Sequence, residues 1–269
     1  MVSNKVIGVP EYEFYEFEDK VSEYCLLIPI INEGNRIHKE LLRANNANIS
    51  KLVDIIICDG DSTDNSTNHE LLKSLNVNTL LVKKDIGKQG TQLRMGIHFA
   101  FKRNYKGILT IDGNNKDSIE DIPLFIDKLK EGYDFVQGSR YIKGGEAINT
   151  PLVRHFSVRY IHAPIISLSA RHWFTDTTNA FRAYSSAYLS NPLVKPLREV
   201  FVTYELLAYL STRASQLGLK VCEIPVKREY PKNEEIPTKI KGIKGNLLLM
   251  SILFKNLLHH YHPKESENV

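Results

Sequence analysis

Cysteine is scarce in this 269-residue chain: Cys25, Cys58 and Cys222 are the full complement. Each lies in an apolar, strand-like run, and no two have the paired spacing of a zinc site. The thiols are therefore expected to be buried and reduced, with no disulfide framework. No uncharged apolar run approaches the roughly 20 residues that cross a bilayer, and the first residues carry no apolar signal segment. The expectation is a cytosolic chain. Excess charge is also small, at +4, without an arginine-rich arm or interleaved aromatic and basic residues. Nucleic acid is not an expected partner. Internal repeats and low-complexity tracts are missing too. What remains is 42% hydrophobic and 25% charged, ordinary for a globular protein and long enough for one large α/β domain.

Strand-like runs fall at 24–30, 53–58, 79–82, 107–111 and 133–137, with helical patterns at 33–48, 64–74, 89–103 and 121–131 between them. Short apolar strands separated by helix-length segments predict βαβ units and a mostly parallel sheet flanked by helices. After Gly138 the spacing predicts a loop at 143–147, helices at 152–171 and 200–216, and a strand at 219–224. Residues 1–20, with the alternating EYEFYEFED, read as an edge strand or an arm over the sheet. The division is an arm at 1–20, a main domain at 21–230 and a basic, apolar helical extension at 231–269.

The richest stretch is GILTIDGNNKD, residues 107–117. An apolar strand running straight into Asp112 and Gly113 is how an open α/β sheet presents a ligand group at its carboxyl edge. Asp112 and Asn114 can both offer oxygen to one hard cation, Mg²⁺ or Mn²⁺, whose remaining positions go to water and phosphate. The bland reading is a strand followed by a polar turn.

Other strands end in chemistry as well. The first ends in Pro29-Ile30-Ile31-Asn32-Glu33, the second in Asp59-Gly60-Asp61-Ser62-Thr63-Asp64. Parallel strand ends sit side by side, so one ligand can meet both. Asp59 can accept hydrogen bonds from a base or ribose, whereas Ser62, Thr63 and Asp64 suit a helix cap. Lys88, Gly90 and Arg94 lie where donors can meet a pyrophosphate.

Taken in order, these segments resemble the family-two, inverting nucleotide-sugar glycosyltransferases of GT-A fold. The branch containing dolichol- and polyprenyl-phosphate sugar synthases is the nearest in pattern. CLLIPIINEGNRI resembles the first strand and its Pro-x-x-Asn-Glu turn, DIIICDGDSTDNS the second strand and acidic turn, and KQGTQLRMGI the Lys-x-Gly-x-x-x-Arg segment. ILTIDGNNKD stands where that family carries its Asp-x-Asp metal motif. DFVQGSRY, TDTTNAFRAY, FVTYELLAYL and LKVCEIPVKREYP are similar to its later segments. Two departures stand out: Asn114 replaces the second acid of the metal motif and Ala180 replaces a glycine. Lys116 stands where a further oxygen ligand is common, so either Asp117 supplies that charge or Lys116 acts as a fixed cation.

The resemblance implies a Rossmann-like GT-A domain and transfer from a nucleoside diphosphate sugar, with UDP favoured over GDP. It assigns Pro29, Asn32, Glu33, Asp59, Lys88, Arg94 and Asp112 to the nucleotide, and Asp112 with Asn114 to Mg²⁺ or Mn²⁺. Asp176 matches an acid near the acceptor and would serve a hydroxyl acceptor as base. Arg140, Arg154, Arg228 and Lys239 match basic residues facing the phosphate of a lipid-linked acceptor; the acceptor is a lipid phosphate or a glycan hydroxyl.

Two rivals come from other classes. IIICDGDST fits the Asp-x-Asp-x-Thr motif of haloacid-dehalogenase-like phosphatases, with Asp59 as nucleophile and Asp61 as general acid. Asn114 motivates the second, a catalytically weak, nucleotide-binding homologue. The C-terminal stretch 239–264 begins with Lys239, Lys241 and Lys244 and turns apolar from Leu247 to Phe254. It reads either as a helix docked on the sheet or on a second subunit of a homodimer, or as an interfacial helix in peripheral contact with a membrane.

Overall fold

The structure, a computed structural model, describes residues 6–232 and 242–264, with side chains from residue 245 onward in the second span. In its first half, strands Tyr12–Glu16 (β1), Tyr24–Ile30 (β2), Asp54–Asp59 (β3), Thr79–Lys83 (β4) and Gly107–Thr110 (β5) appear. They alternate with helices Asn35–Asn46 (α1), His69–Ser74 (α2) and Gln89–Lys102 (α3). Ile122–Lys130 (α4), Phe135–Ser139 (β6), Glu146–Ile148 (β7), Leu152–Ser157 (α5) and Ala163–Ala170 (α6) follow. The chain continues through Arg182–Ser185 (β8), Ser186–Ser190 (α7), Glu205–Gln216 (α8), Val221–Pro225 (β9), Lys227–Glu229 (β10) and Gly242–Leu257 (α9).

Eight strands form one sheet in the order β1-β4-β3-β2-β5-β8-β6-β9, and β10 pairs with β7 apart from it. The β4-β3-β2-β5 block is parallel throughout. Its strands are fully apolar at the centre, as strands covered on both faces must be. Leu27, Ile56 and Cys58 face one apolar cluster while Leu26, Ile28, Ile55 and Ile57 face the other, so successive residues serve opposite layers. Tyr12–Glu16 caps the β4 edge antiparallel, as an edge strand. The three cysteines are unpaired; Cys25 and Cys58 are buried and Cys222 is half-buried.

Three features depart from the expected elements. β8 enters the sheet antiparallel between β5 and β6, although Arg-Ala-Tyr-Ser has no strand-like apolar pattern. Its Arg182 is fully buried because the guanidinium donates to the carbonyls of Thr177, Asn179 and Leu207 and to Ser211 Oγ. The helix expected at 152–171 is divided by a π turn at Val158–His162. Pro164, at the start of α6, has no N–H to give the preceding turn, and the backbone widens there. The segment 64–74 holds two short helices in succession, because Asp64 caps Ser66 N–H and Asn68 caps Leu71 N–H.

The C-terminal helix α9 packs against α6 and α8. Ile252 and Leu253 are buried there, and Asn256 bonds Thr212 Oγ1 at 3.2 Å. Leu247, Leu248, Phe254 and Leu258 stay exposed. Among the described residues, no helix is long and apolar enough to cross a membrane.

Candidate active site

The ends of β2 and β3 are stitched together by side chains. Asn32 takes a left-handed conformation, with φ 51°. Its N–H donates to Ser62 Oγ at 2.9 Å and its Oδ1 accepts Thr63 N–H at 2.8 Å. The N–H groups of Glu33 and Gly34 both donate to Ser66 Oγ. Pro29 lies within β2 opposite Cys58, and Glu33 pairs with Arg36 at 2.9 Å. Asp59 is 1% exposed and closes its own turn, accepting from Asp61 N–H, Ser62 N–H and Ser62 Oγ. Burial pushes its carboxyl up, and the bonds from Ser62 and Asp61 only partly offset that. A phosphatase nucleophile has to reach solvent, and its acid has to face the same phosphate. Asp59 does not reach solvent, and Asp61 turns to Lys84 at 3.3 Å.

Asp112 stands just past the end of β5. Gly113 beside it has no room for a Cβ, which would lie 2.5 Å from Ile30 Cγ2, so the loop presses against the end of β2. Gln89 Nε2 donates to Asp112 Oδ1 at 3.0 Å, and Arg228 Nη2 lies 3.2 Å from Oδ2. Gln89 is brought there because Gly90 lets α3 start directly against the carbonyls of Phe201 and Thr203. Asp112 keeps 22% side-chain exposure. Burial raises its pKa, but Arg228 and Lys116 outweigh that and hold it below the ordinary carboxylate value. It is an ionised, accessible carboxylate.

Around it the loop carries paired charge. Arg228 also donates from Nη1 to Asp117, which is fully buried and whose pKa is raised by that burial. Lys116, 5% exposed, lies over the Tyr230 ring at 5.0 Å and is lowered to about 8 by burial and by Arg228. Tyr230 receives a 2.9 Å bond from Arg154 Nη1. Burial raises the phenol, yet Arg228, Arg154 and Lys116 together bring it down to about 8. Asn115 N–H donates to the buried Glu40 at 2.7 Å, fixing the loop on α1.

The Mg²⁺ or Mn²⁺ that the resemblance implies requires hard oxygen donors. Among the described residues no three His, Cys, Asp or Glu side chains converge on a metal-sized space. Asn114 Oδ1 is nonetheless buried without a hydrogen-bond partner. An acceptor left without a donor beside an ionised carboxylate fits a cation that takes few protein ligands and fills its shell with phosphate and water.

The remaining predicted residues are placed as follows. Arg140 and Asp176 form a bidentate pair at 2.6 and 2.9 Å, with side-chain exposures of 1% and 0%. Burial pushes the Asp176 carboxyl up, but Arg140 more than reverses it and keeps it ionised. Glu223 accepts the N–H groups of Thr175 and Asp176, holding that loop. Lys88 is exposed just ahead of α3. Arg94 is not brought to the Asp112 cluster: its guanidinium donates to Gly8 O at 2.6 Å and to Leu197 O, tying down the N-terminal arm. Lys239 lies outside the described residues. Sequence reasoning missed Gln89, Glu40, Tyr230 and Glu223. Only Tyr230 left a signal, standing two residues after Arg228 on the same strand face.

The structure thus places an ionised carboxylate, Asp112, just past the end of a central parallel strand, with Asn114 two residues on. The sequence profile of Glycosyl transferase family 2 matches residues 25–191, and the chain belongs to that family. Its sheet has the GT-A fold, and family membership together with the burial of Asp59 argues against the phosphatase reading of the Asp59 motif. The chain is 27% identical over 244 residues to a dolichol-phosphate mannosyltransferase of Pyrococcus furiosus, covering 88% of this chain and 62% of that protein. The chain thus spans less than two thirds of that relative. In fold it resembles glucosyl-3-phosphoglycerate synthase from Mycobacterium tuberculosis in complex with Mn²⁺, UDP and phosphoglyceric acid. That likeness has a TM-score of 0.60 and 14% identity over 90% of this chain and 80% of that one. Mannosyl-3-phosphoglycerate synthase from Rubrobacter xylanophilus has a TM-score of 0.63 at 12% identity, covering 91% and 75%.

Proposed function

We propose that the protein transfers a sugar, with inversion, from a nucleoside diphosphate sugar to the phosphate of a lipid-linked acceptor, with UDP as the favoured nucleotide. The observation that carries this reading is Asp112, ionised at the end of β5 between Gln89 and Arg228. The nucleotide lies along Pro29, Asn32 and Glu33 and the turn closed by Asp59, with Lys88 as an exposed cation just ahead of α3. Asp112 and Asn114 would hold Mg²⁺ or Mn²⁺. When bound, that ion supplies charge neutralisation for the leaving diphosphate. Arg228 and Lys116 add fixed positive charge where negative charge develops.

The pairing of Asp176 favours a phosphate acceptor over a hydroxyl. A hydroxyl needs a base, and this carboxylate is buried and spent on Arg140. A phosphate is already an anion and needs cations. Arg154 supplies one from α5, whose neighbours Leu152, Val153 and Phe156 are exposed apolar side chains. Tyr160 and Trp173 are exposed further along the chain, and Leu247 and Leu248 are exposed on α9, which packs on α6. Apolar side chains beside arginine suit a peripheral helix at lipid headgroups. The relative from Pyrococcus furiosus carries a name of the same acceptor chemistry.

The test is a transfer assay with labelled UDP- and GDP-sugars, Mn²⁺, and either a short polyprenyl phosphate or a soluble glycan. Label entering the lipid phosphate fraction is the expected result. Label entering only the glycan moves the reading to a hydroxyl acceptor, and requires Asp176 to leave Arg140.

A further inference from the structure

A cavity of about 540 Å³ lies between α1 and the β10 segment, and it shares with the site above only the wall formed by Asn114 and Lys116. Arg36, Lys39 and Arg43 line it from α1, Lys227 from β10, and Asn114 and Lys116 from the loop after β5. That volume is typical of small-molecule sites. Asp112, Asn32 and Asp59 do not border it. It therefore adjoins the loop after β5 and lies apart from the ends of β2 and β3 assigned to the nucleotide.

The sequence makes the cavity basic in a regular way. Positions 36, 39 and 43 follow helical spacing, so one face of α1 carries three cations while Ile37, Leu41 and Ala44 bury the other. On β10, Lys227 and Glu229 face outward because Arg228 faces in. Five cations line the space against two carboxylates, Glu120 and Glu229. Arg43 is paired with Glu120, Lys227 with Glu229 and Arg36 with Glu33. Lys39 makes no ion pair among the described residues.

A surface cluster of lysines is usually just a solvated face. This one is concave, includes a lysine that is 5% exposed, and has a braced wall. Arg43 Nη1 donates to Asn115 Oδ1 at 3.0 Å, and Asn115 N–H is held by Glu40. Like-signed charge on concave low-dielectric walls concentrates counter-ions. Glu120 and Glu33 occupy the forks of Arg43 and Arg36, which hold the wall in place, so the ammonium groups of Lys39 and Lys227 are the donors that would meet phosphoryl oxygens. Pro231 is the one apolar lining residue, which leaves no bed for an acyl or prenyl chain.

We propose that this cavity is a second anion site that takes the phosphoryl group of a small, hydrophilic, soluble molecule, distinct from the donor's diphosphate. Because Asn114 and Lys116 form one wall, its ligand would meet the same loop that presents Asp112.

Titration calorimetry at low ionic strength, with inorganic phosphate as probe, tests this on the full chain. The wild-type protein should bind phosphate at one site, and should still bind it when saturated with nucleoside diphosphate. The double variant Lys39→Ala/Lys227→Ala should lose at least about tenfold in phosphate affinity while its melting temperature and nucleotide affinity hold. Asp59→Ala, in contrast, should leave phosphate binding intact. Absence of phosphate binding by the wild type overturns the proposal, as does equal affinity in the double variant. One-for-one displacement of phosphate by the nucleotide would also overturn it, by making the cavity part of the donor site. Failure of the transferase reading would instead show as absent nucleotide binding with phosphate binding preserved.

Discussion

Arg228 Nη2 stands 3.2 Å from Asp112 Oδ2, a pairing across 116 residues of chain. Through its other nitrogen the same guanidinium holds the buried Asp117. The short β7–β10 pairing therefore sets the charge of the loop after β5. Removing Arg228 leaves a buried carboxylate without its partner, a change that costs about 3–5 kcal/mol. Arg228→Met should lower stability by that order in chemical denaturation. Arg228→Met/Asp117→Asn should recover most of the loss, because the orphaned charge is gone.

Asp112→Asn removes the single ionised oxygen donor of the expected metal site. Titration with Mn²⁺ followed by its paramagnetic signal should show weak or no binding, with the melting temperature close to that of the wild type. Asn114→Asp adds a full negative charge to a hard-cation site and should tighten Mn²⁺. Unchanged Mn²⁺ affinity in both variants would remove these residues from the metal site.

The Arg140–Asp176 pair makes a different prediction. Asp176→Asn strands a buried guanidinium and should destabilise the fold by about 3–5 kcal/mol. With a lipid phosphate acceptor, the turnover number should fall less than the hundredfold or so expected from loss of a general base. A loss beyond that, with unchanged stability, would restore Asp176 as the base.

Tyr230 should titrate early. Its folded pKa is depressed to about 8 from the ordinary 10.0, so the native state releases this proton before the unfolded chain does. The stability contributed is full above the unfolded value and is lost as pH falls through 8. Tyrosinate absorbance should rise near pH 8 in the wild type and not in Tyr230→Phe. Arg154→Ala should move that rise upward. Between pH 8 and 10 the wild type should gain stability relative to Tyr230→Phe.

Membrane contact can be tested without cutting α9, since Ile252 and Leu253 are buried and truncation would expose them. The full chain should co-sediment with anionic liposomes, less so as salt rises. Val153→Glu/Phe156→Glu should abolish sedimentation and leave nucleotide binding in place. Equal sedimentation of the variant would assign membrane contact to another surface, and no sedimentation at low salt would favour a soluble acceptor.

The central strands and their acidic ends were legible because burial on both faces demands continuous apolar runs, as at residues 55–58. Periodicity also found α1 and α3. It failed at β8, where burial of Arg182 relies on two acceptors far away in sequence, Leu207 O and Ser211 Oγ, besides the nearby carbonyls of Thr177 and Asn179. The candidate site was half legible. Asp112 and Asn114 announce themselves by position after a strand. Whether an acid is free or spent depends on how its turn closes and on distant partners, as Asp59 with Ser62 and Asp176 with Arg140 respectively illustrate. Arg94 read as a phosphate ligand because its motif permits it, and only the contact with Gly8 O reveals its work on the arm.

Calorimetric titration of UDP and of GDP, with and without Mn²⁺, into the wild type and Asp112→Asn tests the central claim most directly. The account predicts that UDP binds more tightly with Mn²⁺, that GDP binds more weakly, and that Asp112→Asn abolishes the gain from the metal. Nucleotide affinity that is indifferent to both Mn²⁺ and Asp112, or no nucleotide binding at all, would contradict it.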